Sequence, residues 1–193
     1  MATIGVILAG GLSSRMGQDK ALMRMADTCM LDHISQVLHK TTVKEIVISR
    51  NDKNGKYLSD IMPNKGPLSG IHSAAMHYPS DNLLIVPVDL PLIDHFTLEE
   101  LINYGHRHRC NARYAAQSLP LYVNNTEALR QALDHTLRTT NSFSVNRFCS
   151  HFSLGKLNLK RKLSLLNTNT PEQWQLAEQH FQIMPLTSPK EVL

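Results

Sequence analysis

Apolar and polar positions recur along this chain in two rhythms, one short and one helical. Ile4, Val6, Ile7 and Leu8 make a compact apolar run, rich in β-branched residues, that predicts a buried strand over Thr3–Leu8. Leu31, Ile34, Val37 and Leu38 fall at helical spacing and predict a helix over Met30–Lys40. Ile46, Val47 and Ile48 predict a second buried strand, Glu45–Ser49. Pro67–His77 reads as a helix with its proline in the first turn. Leu83–Val88 is almost wholly apolar, as a strand covered on both faces should be.

Thr97 and Glu100 have capping-box spacing, which predicts a helix from there to about Gly105. Arg113–Ala116 and Leu121–Val123 are short strand candidates, and Leu163–Leu166 is predicted as a last strand. Thr126–Arg138 is an amphipathic helix by its pattern, and Ser142–Cys149 a shorter one. Thr170, Pro171 and Gln173 together predict a capped helix start. Met184–Leu193 holds two prolines and no periodicity, so residues 1–183 are read as one domain and 184–193 as a tail.

Strands alternating with helices predict an α/β fold with a largely parallel sheet and helices on both faces. In such sheets ligands lie beyond the carboxyl ends of the strands, at a switch in strand order. The turn after the first strand and Asp89 after the third both fall at that edge.

Composition narrows the class. The 193 residues suit a single domain with a sizeable core, and 42% hydrophobic with 19% charged residues is ordinary for a soluble globular protein. No apolar run approaches the ~18 residues of a membrane span, and no basic region precedes the first apolar run, so neither membrane insertion nor a signal peptide is expected. Cys29, Cys110 and Cys149 form neither a disulfide framework nor a CxxC pair, and a reducing cytoplasm is the simplest compartment. The net charge of +4 fits anionic ligands. The main basic cluster, Lys156, Lys160, Arg161 and Lys162, has no interleaved aromatics to stack bases, so it reads as a solvated loop and no nucleic-acid partner is expected. His106 and His108, two apart at a helix end, do not face one ion and are read as surface residues. No HExxH or GxSxG pattern occurs.

The chemistry concentrates in Leu8–Leu22, LAGGLSSRMGQDKAL. Gly10 and Gly11 lack Cβ, so the backbone can approach a ligand closely. Successive backbone N–H groups there would form an anion-binding concavity. Arg15 adds a planar donor fork and Lys20 a compact charge, a set suited to a triphosphate. The spacing matches neither GxxxxGK[ST] nor GxGxxG. Asp89 is the second focus. Aspartate is disfavoured in strands, and this one closes an apolar run just before Leu90-Pro91. It suits a Mg²⁺ ligand, since magnesium uses one or two carboxylates plus substrate phosphates. The alternative is a turn-capping aspartate.

The string LAGG-x-x-x-RMG-x-DKAL resembles the signature of the molybdenum cofactor guanylyltransferases, within the nucleotidyltransferase superfamily. Three further segments keep that family's order: Asp60 to Gly70, Val86 to Pro91, and Asn167 to Glu172. LAGG, with Asp19 before Lys20, looks like the guanylyl-transferring branch rather than the cytidylyl branch. The resemblance implies a three-layer Rossmann-like fold and Mg²⁺-dependent transfer of GMP from GTP to molybdenum-molybdopterin. It implies catalytic roles for Arg15, Lys20 and Asp89. Nucleotide contacts would come from Leu8, Ala9, Gly10, Gly11, Lys20, Asn51, Asp60 and Asp89, and metal contacts from Asp89 and Asn169. Asn51 and Asp60 are polar loop residues on any reading, and Asn167 and Asn169 could equally be turn residues leading to the Thr170 cap. Cofactor-delivery proteins and molybdoenzymes are candidate partners. One departure stands out: Gln117-Ser118 replaces the family's His-Pro step, in a shortened segment running to Tyr122. Transfer to another acceptor, such as a sugar phosphate, and a non-catalytic nucleotide-binding relative therefore stay open as alternatives.

Overall fold

The computed structural model describes residues 1–10, 19–52, 54–161 and 163–183. Gly11, Arg15, Lys162 and the predicted tail 184–193 lie outside the described residues. The chain begins with β1 (Thr3–Leu8), followed by the two-residue strands β2 (Arg24–Met25) and β3 (Thr28–Cys29), then α1 (Met30–Leu38) and β4 (Glu45–Ser49). Next come α2 (Pro67–His77), β5 (Asn82–Pro87), α3 (His95–His108), β6 (Asn111–Tyr114) and β7 (Leu121–Val123). The chain continues with α4 (Glu127–Thr139), α5 (Val145–Cys149), β8 (Leu154–Leu157) and α6 (Pro171–Ile183).

Six strands form one mixed sheet in the order β4-β1-β5-β7-β6-β8. β1 pairs in parallel with β4 and β5, and β6 with β8; β7 runs antiparallel to both of its neighbours. The sheet is therefore parallel apart from β7, as the βα alternation predicts. Side chains alternate across it with period two. Ile4, Val6 and Leu8 of β1, with Leu83 and Ile85 of β5, pack under α2, α4 and α5. Ile7, Leu84 and Val86 pack on the other face under α1 and α3, with Ala177 of α6. Helices thus cover both faces, giving three layers. The register sets Leu8 beside Ser49 on one side and Pro87 on the other, so the three central strands end together at one edge.

Three expectations change. The last strand is not Leu163–Leu166 but Leu154–Leu157. Leu163–Leu166 is a turn closed by Leu166 N donating to Leu163 O at 3.0 Å, and it reads as apolar because Leu165 is buried in the core. β8 escapes the pattern because it contains Gly155, where a Cβ would stand 2.2 Å from the Tyr104 ring, so only glycine leaves room for it. The third helix starts earlier than its apparent capping box. Asp94 is the cap and accepts from both Thr97 N (2.9 Å) and Thr97 Oγ (3.0 Å), and the helix continues to His108. The basic cluster begins on β8 with Lys156; beyond the strand, Lys160 pairs with Glu100 and Arg161 with Asp94. Burial opposes ionisation of Asp94, but hydrogen bonds from Ser164 and Thr97, with Arg161 nearby, hold its carboxyl below the usual range.

Elsewhere the patterns hold in outline: β6 starts two residues before the expected Arg113, α5 starts at Val145 rather than Ser142, and the short β2–β3 pair is not anticipated by the pattern. Thr126 caps α4, and α6 opens with the reciprocal box between Thr170 and Gln173. His106, Arg107 and His108 are exposed, and the three cysteines are unpaired. No helix among the described residues is long and apolar enough to cross a membrane.

Candidate active site

The site is built where β1, β4 and β5 end. The chain leaves these strands still paired: Ala9 N donates to Ser49 O at 3.0 Å, and Val88 N to Leu8 O at 3.2 Å. Gly10 and Asp89 are thereby delivered to the same edge, as the sequence predicts. Asp89 is tied to the segment before α6 through its main chain: its carbonyl accepts from Thr168 N (3.1 Å) and Thr168 Oγ (3.2 Å). Asn169 follows, its N–H bound to Gln173 Oε1 at 2.8 Å.

Lys20 sits on a turn in which Leu22 N and Met23 N both donate to Asp19 O. Its Nζ donates to Asn169 Oδ1 at 2.5 Å and lies 3.6 Å from Asp89 Oδ2. The ion pair is sheltered, with side-chain exposures of 18% for Lys20 and 23% for Asp89, so solvent screens it less than a surface pair. A carboxylate oxygen and an amide oxygen 80 positions apart in the chain therefore converge on one cation. These are hard oxygen donors, few in number, which fits a Mg²⁺ ion that completes its shell with phosphate oxygens and water. Among the described residues no cluster of three or more His, Cys, Asp or Glu could hold a metal by itself.

An open cleft of about 370 Å³ lies over this edge. Its lining includes Leu8, Ala9, Gly10, Asp19, Lys20 and Asp89, together with Gln117, Ser118, Leu119 and Asn167. Asn51 and Asp60 are not among the lining residues, but the fold brings them together: Asn51 Nδ2 donates to Asp60 Oδ2, and Asp60 N to Asn51 Oδ1, both at 2.8 Å. Gly11 and Arg15 fall outside the described residues.

Two contacts escaped the sequence reading. Arg50 grips the Asp19 carboxylate, and that hydrogen bond raises the pKa of its guanidinium. Asn167 Nδ2 donates to Gln117 Oε1 at 3.4 Å, joining the segment before β7 to the turn before α6. The only sequence signal for the first was the position of Arg50 beside Asn51; for the second there was none, since 50 positions separate the pair.

Comparison with known proteins is consistent along the chain. Residues 5–150 match the MobA-like NTP transferase domain family. A molybdenum cofactor guanylyltransferase of Xanthomonas euvesicatoria is 34% identical over 175 residues, covering 88% of this chain and 91% of the relative. One from Shewanella woodyi is 30% identical, covering 90% and 94%. Among solved structures, molybdopterin-guanine dinucleotide biosynthesis protein A of Archaeoglobus fulgidus gives a TM-score of 0.78 at 18% identity, covering 94% of this chain and all of that one. 2-C-methyl-D-erythritol 4-phosphate cytidylyltransferase of Thermus thermophilus gives 0.69 at 11% identity, covering 94% of this chain and all of that one. At these identities the two structures establish the shared fold.

Proposed function

The chain belongs to the MobA-like NTP transferase family and is a nucleotidyltransferase; on that premise we propose that it transfers GMP from GTP to a molybdopterin-type acceptor carrying molybdenum, releasing pyrophosphate. The observation that carries this reading is the meeting of Lys20, Asp89 and Asn169 beside the Gly10 turn. In the reaction an acceptor phosphate oxygen attacks the α-phosphorus of GTP. One P–O bond forms to the acceptor, and the bond to the bridging oxygen of the leaving pyrophosphate breaks. The acceptor is already a nucleophile, so the protein needs no covalent intermediate, and catalysis is positioning and charge stabilisation.

Lys20 and the Gly10 turn hold the β- and γ-phosphates, with Gly11 and Arg15 assigned to the same role from the family signature. In support, the Lys20 ammonium stands at the cleft, where an incoming polyphosphate could share it with Asp89. Asn51 and Asp60 serve the base and ribose; their oxygens can accept from the N1–H and N2 donors of guanine. Asp89 and Asn169 would hold Mg²⁺. When bound, the ion neutralises charge on the α-phosphate.

Calorimetric titration with GTP, ATP, CTP and UTP in the presence of Mg²⁺ tests the reading. GTP should bind best, and a clear preference for CTP would move the chain to the cytidylyl branch.

The acceptor is the open side of the reading. Gln117, Ser118 and Leu119 also line the cleft, in the segment that departs from the family signature at Gln117-Ser118. GTP binding should then be ordinary while turnover with free acceptor is poor, improving when a cofactor-delivering or apo-enzyme partner completes the site. Steady-state kinetics with and without such a partner decide this. Full activity of the isolated chain would make a longer Gln117–Tyr122 segment dispensable, and no activity under any condition favours a non-catalytic nucleotide-binding relative.

A further inference from the structure

Arg50 follows β4 directly, binds Asp19 after positions 11–18, and has its main chain beside Gly10 before them. On one side Gly10 lies against its main chain: a Cβ on Gly10 would stand 3.9 Å from Arg50 Cα and 3.8 Å from Ser49 O. On the other side its guanidinium takes the Asp19 carboxylate with two nitrogens. Nη1 lies 3.3 Å from Oδ1, and Nη2 donates to Oδ2. The same carboxylate accepts from Ala21 N at 3.1 Å, and Asp19 O accepts from Leu22 N and Met23 N. The turn carrying Lys20 is thus anchored on Asp19, and Asp19 on Arg50. The next residue, Asn51, is held to Asp60 by two hydrogen bonds.

A two-point guanidinium–carboxylate contact fixes direction as well as distance, which a lysine ammonium cannot reproduce. We infer that Arg50 is a positioning residue: it clamps the two ends of the 11–18 segment together and, through Asp19, sets where Lys20 stands. The phosphate-binding turn is thereby kept in register with the Asn51–Asp60 pair. Arg50 itself need not touch the nucleotide. The inference rests on the nucleotide-transfer reading above.

Two measurements on the full chain test it. The first needs no ligand. Amide hydrogen exchange over residues 9–22 should be faster in Arg50→Ala than in the unaltered chain, and unchanged exchange overturns the clamp. The second is a cycle of GTP affinities in Mg²⁺ for Arg50→Ala, Lys20→Ala and the double variant, with folding checked by thermal melting. Arg50→Ala should weaken binding about fivefold or more, as loss of a bidentate charged contact would. Arg50→Lys should recover part of that loss. In the Lys20→Ala background Arg50→Ala should add little, because its effect travels through Lys20. Additive losses would overturn the inference, showing that Arg50 acts on the nucleotide directly or on the fold at large. If Arg50→Ala does not fold, Arg50→Lys and Asp19→Asn carry both the exchange measurement and the cycle. An unaltered chain that binds no nucleotide sinks the functional reading, while the exchange result still judges the clamp.

Discussion

Lys20 Nζ stands 2.5 Å from the side-chain oxygen of Asn169, a residue 149 positions further along the chain. The contact closes the site. It joins the turn after the glycine segment to the residue just before the last helix, with Asp89 on the same cation. On the proposed mechanism, replacing Lys20 by alanine removes the charge that would face developing pyrophosphate. The rate should fall about 10²–10³-fold, the usual cost of losing one such stabilising group. The melting temperature should change little, because the turn is held by main-chain bonds to Asp19. Near-normal turnover in the folded variant would exclude the role.

Asp89→Asn keeps the size of the side chain and removes the charge that a magnesium ion requires. The Asp89 contact with Thr168 uses the main-chain carbonyl, so the link to the turn before α6 survives the change. Transfer should collapse while thermal stability holds. Asn169→Ala should cost less, because an amide oxygen is the weaker ligand. Activity assays on both variants decide the assignment: a dead Asn169→Ala beside an active Asp89→Asn would reverse it.

Gly105→Ala should destabilise the fold even though alanine is the better helix former by about 1 kcal/mol. A Cβ at Gly105 would lie 2.1 Å from the ring of Tyr122, which is 1% exposed and cannot swing away. Overpacking of this kind costs about 1–3 kcal/mol. Chemical denaturation should show the loss. GTP affinity below the melting transition should be unchanged, since Gly105 and Tyr122 are not part of the cleft lining.

Stability should fall as the solution is acidified through the histidine range. Burial lowers the pKa of His72, and the nearby Asp134 carboxylate offsets only part of that. Burial lowers His33 in the same way, against a hydrogen bond with the Pro91 backbone. Both side chains hold a proton less readily folded than unfolded, so the unfolded chain gains protons first. Their contribution is full above the ordinary value of 6.5 and is lost as pH drops below it toward the folded values. Asp134, held low mainly by its hydrogen bond from Arg138, acts below the ordinary carboxylate range and leaves this window clear. Melting temperatures at about pH 7.5 and about pH 5.5 should differ in the unaltered chain, and the difference should shrink in His72→Gln. An equal drop in both chains would remove His72 from the account.

Much of this molecule is readable in its sequence, because the relevant forces are local. Val6, Ile7 and Leu8 must be buried whatever their neighbours are, so β1 is set by its own apolar run, and the ends found for β4 and α2 are those expected. Thr170 and Gln173 bond each other across three residues, so that helix start needs no distant partner. The glycine turn and Asp89 were placed at one sheet edge by strand order alone. What the sequence could not decide depends on residues far apart in the chain. Gly155 in β8 leaves the space that the Tyr104 ring fills, and within Leu163–Leu166, Leu165 is buried while Leu163 is exposed, which no strand alternation produces here. The grip of Arg50 on Asp19, the bond from Lys20 to Asn169 and the pairing of Asn167 with Gln117 span 31, 149 and 50 positions. Such contacts exist only once the sheet has stacked its strand ends side by side. Pattern and propensity act over a few residues, whereas the meeting of polar and charged groups far apart in the chain is a property of the packed fold.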